Sequence, residues 1–148
     1  MIFANLLQAY QNLSKTATGY VVRKGWRDSN VAPTDNSPLA YMIFRASEAF
    51  LNYMEADCMK NGGNSIDANS QKYWKALRKR AGVSDNYQLT IDNTDLNKEN
   101  DLAVWSGNKQ ISKMLYNIRR ERRCEFIAEG MRKDDLFRWR SLDKMKDY

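Results

Sequence analysis

The stretch RRERRCEFIAEGMRKDDLFRW, residues 119–139, carries charges on a helical face that should be apolar. At about 100° per residue, Arg122, Glu125 and Glu129 project into the arc that holds the apolar side chains of the predicted helix. A helix with one face in water would carry its charges on the opposite side. These groups therefore either pair inside a packed interface or form a site that handles charge.

The composition argues against several classes of enzyme. The 148-residue chain has no histidine, which removes Ser-His and Cys-His nucleophile pairs, most zinc sites and the usual general base. Its two cysteines, Cys58 and Cys124, are too few for a disulfide framework. No apolar run is long enough to span a bilayer, and residues 1–13 lack the features of a signal peptide, so we expect a soluble chain. We predict no catalytic residue, no metal and no cofactor.

Helix start and stop signals predict an all-α fold of four main helices with long loops. Ser37 and Asn108 cap the first and third helices, and Gly82 ends the second. The Gly62-Gly63 connection is short, so the first two helices should form an antiparallel hairpin. The predicted helices cover residues 37–61, 65–81, 109–129 and 132–142, after a short helix at 1–13, an extended segment at 19–26 and a loop at 27–37.

The net charge of +6 is unevenly distributed. Residues 83–108 form an acidic loop insertion with five acidic residues against Lys98 alone, so the remainder of the chain is strongly basic. The basic runs RRERR (119–123) and RKR (78–80) suggest a nucleic-acid or acidic-protein partner. Glu121 at the centre of RRERR fits a solvated helix face instead, and no nucleic-acid-binding motif accompanies the runs. A basic helical adaptor is therefore the alternative function, and we expect no nucleic-acid partner.

The acidic loop also contains a segment that begins like a calcium-binding loop. DLNKENDL, residues 95–102, places oxygen-bearing side chains at alternate positions. The required glycine is replaced by Asn100 and the bidentate acid by Ser106. A solvated acidic loop is the better interpretation.

The charged arc of the third helix has a structural and a catalytic interpretation. The structural one is an ion-pair network with acids of the first helix, because buried charges are normally paired. The catalytic one makes Glu125 and Glu129 a glycosidase pair, with Cβ atoms roughly 6 Å apart. Flanking arginines would prevent the raised pKa that a general acid needs, so the structural interpretation is favoured. The predicted network consists of Glu48, Glu55, Arg122, Glu125 and Glu129.

Four ordered motifs resemble the C-terminal half of the SusD-like (RagB/SusD) family. They are GYVVRKGW, PLAYMIFRASEAFLNYMEA, ALRKRAG and IRRERRCEFIAEGMRKDDLFRW, within residues 19–142. The resemblance implies tetratricopeptide-like helical hairpins in a fragment of a larger SusD-like fold, with residues 1–148 as a single domain fragment. It also implies an outer-membrane, surface-exposed lipoprotein of Bacteroidetes as the parent, although the lipidated cysteine is not in this sequence.

The function implied by the resemblance is capture of an oligosaccharide or another nutrient for a TonB-dependent, SusC-like transporter, without catalysis. Trp26, Tyr87 and Trp105 lie in or beside predicted loops, where an aromatic ring can stack on a sugar. Aromatic rings near loop bases are more often anchors that pack on the core. Much of the glycan site is expected to lie outside these residues.

Overall fold

The computed structural model describes Lys24, which lies in a turn, and residues 43–147, with side chains as far as residue 144. These residues, apart from Lys24, belong to the second of two units, Met42–Tyr148. The predicted elements at 1–13 and 27–37, and all of the predicted extended segment 19–26 except Lys24, lie outside the described residues, and with them Trp26. The prediction of an all-α fold is confirmed, since helices dominate the described part of the chain.

Helices α1 (Ala46–Lys60) and α2 (Ala68–Arg80) form the predicted hairpin. Asp57, near the end of α1, accepts a hydrogen bond from the Ser70 hydroxyl near the start of α2. About two turns earlier in α1 the Phe50 ring stacks on Tyr73, so the two helices run antiparallel. The connection closes as a Schellman motif, in which the amides of Gly63 and Gly62 donate to the carbonyls of Cys58 and Met59. Both glycines have positive φ, which a residue with a Cβ rarely adopts.

The described helix α1 begins at Ala46, whereas the predicted Ser37 cap and residues 38–42 lie outside the described residues. Residues 43–45 are not helical, and Arg45 has an extended backbone with φ −130° and ψ 144°. The guanidinium of Arg45 binds Glu125 and Glu129, far along the chain. We attribute the interruption to this tertiary contact, which overrides the local helical preference.

The acidic segment is more ordered than a solvated loop. It contains helix α3 (Tyr87–Asp92), whose N-terminus is capped by the Asn86 side chain, and a 3-10 turn at Leu102–Val104. Ile91 of α3 is buried against the helix Lys113–Glu125, which explains why this stretch folds onto the core.

The third predicted helix also begins later than expected. A small antiparallel hairpin pairs β1 (Trp105–Ser106) with β2 (Lys109–Gln110) around Gly107, whose φ is 59°. Helix α4 then covers Lys113–Glu125, and its cap is Ser112, whose hydroxyl accepts from the Leu115 amide at 3.1 Å. Asn108 therefore occupies the hairpin turn and does not cap the helix, because the Gly-Asn pair suits a two-residue β-turn.

Helix α4 ends at Glu125, and Ala128 and Gly130 both adopt positive φ before the next helix. Helix α5 covers Arg132–Arg138, and a 3-10 segment follows at Leu142–Asp147. Two hydrophobic clusters hold these elements together, one around α1, α2 and α4, the other around the 3-10 turn, Tyr116 and α5. Helix α4 contributes to both. None of the helices within residues 43–147 is both long enough and apolar enough to cross a membrane.

Candidate functional site

A buried carboxylate on α1 is the centre of the charged region. Glu55 lies between Leu51 and Cys58 on the face of α1 that enters the core, and its side chain is only 3% exposed. Its Oε1 accepts from the indole Nε1 of Trp139 at 2.6 Å, and its Oε2 accepts from Nη2 of Arg138 at 2.7 Å. The carboxylate thus ties α1 to α5.

Arg119 of α4 supplies the second buried charge. Its side chain is 1% exposed, and its Nε lies 3.7 Å from Oε1 of Glu55. Nη1 donates to the carbonyl oxygens of Ala103 and Trp105, and the guanidinium lies 4.5 Å from the Trp139 ring centroid. Burial lowers the pKa of Arg119 to about 10, although Glu55 opposes this shift. The group is therefore still a cation at neutral pH.

Arg122 pairs with a carboxylate that is not a member of the predicted ion-pair network. Its Nε donates to both oxygens of Asp135 at 2.8 Å, and its Nη1 donates to the Asn52 side chain. Arg138 also donates to Asp135, at 3.1 Å. We call Glu55, Arg119, Arg122, Asp135 and Arg138 the buried arginine network.

Glu125 and Glu129 both bind one arginine at the start of α1. Arg45 donates to Glu125 Oε1 at 2.8 Å and to Glu129 Oε1 at 2.7 Å, and Arg80 binds the other oxygen of Glu125. Burial by itself would raise the pKa of Glu125, but Arg80 and Arg45 overcome it and hold that pKa below its usual range. A general acid of a glycosidase needs the opposite shift. Glu48 is half-buried in the first turn of α1 and forms no ion pair with another described residue.

The acidic segment contributes carboxylates that bind arginine. Asp101, whose side chain is 3% exposed, accepts from Arg123 and Arg132 and also from the Ala103 amide. Glu99 accepts from the Tyr116 hydroxyl and from Arg120. Within residues 43–144 no group of three or more potential ligand side chains could hold a metal ion.

The basic runs that suggested a nucleic-acid partner are largely neutralised inside the protein. Arg78 pairs with Glu121 and Arg80 with Glu125. The arginines of RRERR bind the carboxylates already described, namely Glu55, Glu99, Asp135 and Asp101. A guanidinium that already binds a carboxylate has fewer donors left for a phosphate, although Arg80 and Arg123 stay more than half exposed.

The structure does not bring the described aromatic candidates together. Tyr87 stacks on Trp74, with ring centroids 4.5 Å apart, and packs against the cluster around α1 and α2. Trp105 packs against the other cluster, and Nζ of Lys144 lies 4.8 Å from its ring centroid. Both rings are partly buried, so each has at least one packing role.

The charged residues of the site that sequence reasoning missed include Arg45, Asp101, Asp135 and Arg138. Arg45 was hidden because it was assigned to a helix, and Asp101 because it was assigned to a solvated loop. A signal for Asp135 was available, since it lies next to Leu136 on the buried side of α5. A carboxylate on an apolar face demands a cationic partner in the same way as Arg122.

One of the comparisons with known proteins identifies a family for this chain. The family model of the SusD family matches residues 3–148. No curated protein and no solved structure matches the chain. The chain belongs to the SusD family. Proteins of this family are generally non-catalytic, outer-membrane-associated lipoproteins that bind nutrients, including glycans, at the cell surface and associate with SusC-like transporters.

Proposed function

We propose that this chain is part of a non-catalytic binding protein that captures an oligosaccharide or another nutrient at the outer membrane and delivers it to a SusC-like transporter. The observation that carries the proposal is the family match, which extends over residues 3–148. The match covers nearly the whole chain. These residues therefore serve the function of the family either as a scaffold or as part of the ligand site.

The absence of catalysis is also part of the proposal. A glycosidase needs one carboxyl with a raised pKa and one that stays ionised. Glu125 has a lowered pKa, Glu129 shares Arg45 with it, and Glu55 is enclosed by Arg138 and Trp139. Each of these carboxylates has a structural partner that would have to be displaced before it could act on a substrate.

Trp26, Tyr87 and Trp105 stay proposed ligand contacts. Of the two that the structure describes, Trp105 is the better candidate for a test by substitution. Tyr87 stacks on buried Trp74, so its removal would disturb the core. Trp105 packs at the edge of the second cluster, and its contact with Lys144 involves a side chain that reaches solvent.

Calorimetric titration of the 148-residue chain with neutral and acidic oligosaccharides, with product analysis by chromatography, tests the proposal. The expected result is at most weak binding of a glycan, because much of the glycan site is expected to lie outside these residues, and no formation of shorter products. Binding that Trp105→Ala weakens while circular dichroism stays unchanged would add Trp105 to the site. Hydrolysis of any glycan, or no binding to any glycan or to the partner transporter, would refute the proposal.

A further inference from the structure

The outer face of α2 carries a row of lysines that the buried networks do not use. Lys72, Lys75 and Lys79 are all exposed, on the side of the helix opposite the buried Trp74 and Leu77. None of these three lysines forms an ion pair with another residue in the part of the chain that the structure describes. Three neighbouring like charges on one helix repel each other, because intervals of three and four residues make side chains neighbours. An anion bound across them would relieve that repulsion.

An amide borders this row, and the exposed ring of Tyr53 lies on the Tyr73 side of α2. Asn69 lies one helical turn before Lys72 and is exposed, and Tyr73 lies one turn after Asn69. Tyr53 of α1 contacts the Tyr73 ring edge to face at 5.6 Å, and its side chain is 41% exposed. Its hydroxyl donates to Asp67 at 2.6 Å, which fixes the ring orientation. We call Tyr53, Asn69, Lys72, Lys75 and Lys79 the lysine face.

The groups of the lysine face complement an acidic sugar. An exposed tyrosine ring can stack on the apolar side of a sugar ring, and the amide of Asn69 can both donate to and accept from hydroxyl groups. The lysine ammonium groups can pair with carboxylates. Lys72 and Lys79 are separated by about 10 Å along the helix axis, which requires a ligand of several sugar units.

We propose that the lysine face binds an acidic oligosaccharide that carries uronic-acid carboxylates, an inference that rests on the glycan-binding function proposed above. A neutral glycan would leave the three lysines without a counter-charge. A nucleic acid would favour arginine forks on its phosphates, and the arginines of the nearby RKR and RRERR runs are already engaged with carboxylates.

Titration of the 148-residue chain with an oligogalacturonate of defined length tests this inference. The variant Lys72→Gln/Lys75→Gln/Lys79→Gln removes the charges and keeps good helix formers on α2. The matched control Lys109→Gln/Lys113→Gln/Lys133→Gln removes the same charge from exposed lysines elsewhere. We expect the first variant to bind about tenfold more weakly and the control to stay within about twofold of the unmodified chain. Equal weakening by both variants would overturn the inference, since only net charge would then matter.

Two further ligands separate this inference from the proposed function. A malto-oligosaccharide of equal length should bind more weakly than the oligogalacturonate. Binding of the neutral sugar alone would overturn the acidic ligand and leave the proposed function standing, whereas binding of neither sugar nor any other glycan would remove both. A single-stranded DNA oligomer that binds as tightly as the oligogalacturonate would also overturn the inference, because the face would then recognise any polyanion.

Discussion

Replacement of Glu55 by Gln is the most direct test of the buried arginine network. The substitution keeps the size of the side chain and removes its charge. Arg119, only 1% exposed, would then lack the carboxylate nearest to it. Trp139 would keep an acceptor, because an amide oxygen can still receive its indole N–H.

The expected loss of stability depends on how each partner of Glu55 can respond to the substitution. Removal of one partner from a buried ion pair costs about 3–5 kcal/mol. The lower end applies here, because Arg119 keeps two carbonyl acceptors and its Nε lies 3.7 Å from Glu55. Arg138 is 44% exposed, so water can solvate it after the change. We therefore expect Glu55→Gln to lower the free energy of unfolding by about 3 kcal/mol.

Urea denaturation followed by far-ultraviolet circular dichroism measures this loss. Asp95→Asn is the matched control, since it removes the same charge from a pair with Lys98 at 3.5 Å in which both side chains are well exposed. Its amide can still accept the Asn97 backbone N–H. The control should lose less than about 0.5 kcal/mol. If Glu55→Gln were no more destabilising than Asp95→Asn, the network would not contribute to folding in the way described.

Three further predictions concern the backbone and pH. Gly62→Ala should lower the free energy of unfolding by about 1 kcal/mol, because of the positive φ alone. Gly63→Ala should lower it more in urea denaturation, because its Cβ would also lie 3.3 Å from Ser112 Oγ, and equal losses would contradict this. Arg140 occupies the left-handed position of a Schellman motif with φ 56°, so Arg140→Gly should raise Tm or leave it unchanged, and a lowered Tm would show that the arginine side chain matters more. Burial raises the pKa of the Cys58 thiol from 9.0 to about 11. The stability that the protonated thiol contributes is therefore complete below pH 9 and is lost as pH rises to about 11, by roughly 2–3 kcal/mol. The free energy of unfolding of Cys58→Ala should decline less steeply over that pH range, and parallel declines would contradict the shift.

The sequence was sufficient for the elements that rest on local signals. Gly62, Gly63 and Gly82 mark the ends of α1 and α2 because the left-handed conformation there favours glycine. The helical periodicity of α4 was enough to show that Arg122 faces the core. These features depend on residues within one or two turns of each other.

The features that were wrong depend on contacts outside the helix concerned. Ser112 and Asn108 can both cap a helix, and the choice between them is made by the hairpin that engages Asn108 and by the bond from Ser112 Oγ to the carbonyl of Gly63. Arg45 leaves the helix to reach Glu125, a residue 80 positions away. No local pattern encodes such a partner, so the sequence could show that charges must be paired but not which residues pair.

Arginine and lysine divide the positive charge of this protein into two roles. Apart from Arg140, every arginine within residues 43–144 forms an ion pair, and several of these pairs are shielded from water. The lysines of the lysine face are exposed and form no ion pair with another residue of that stretch. Salt screens exposed charges far more than buried ones. Added salt should therefore weaken binding of an acidic ligand at the lysine face much more than it lowers the free energy of unfolding, because the charge that binds and the charge that holds the helices together lie on different residues.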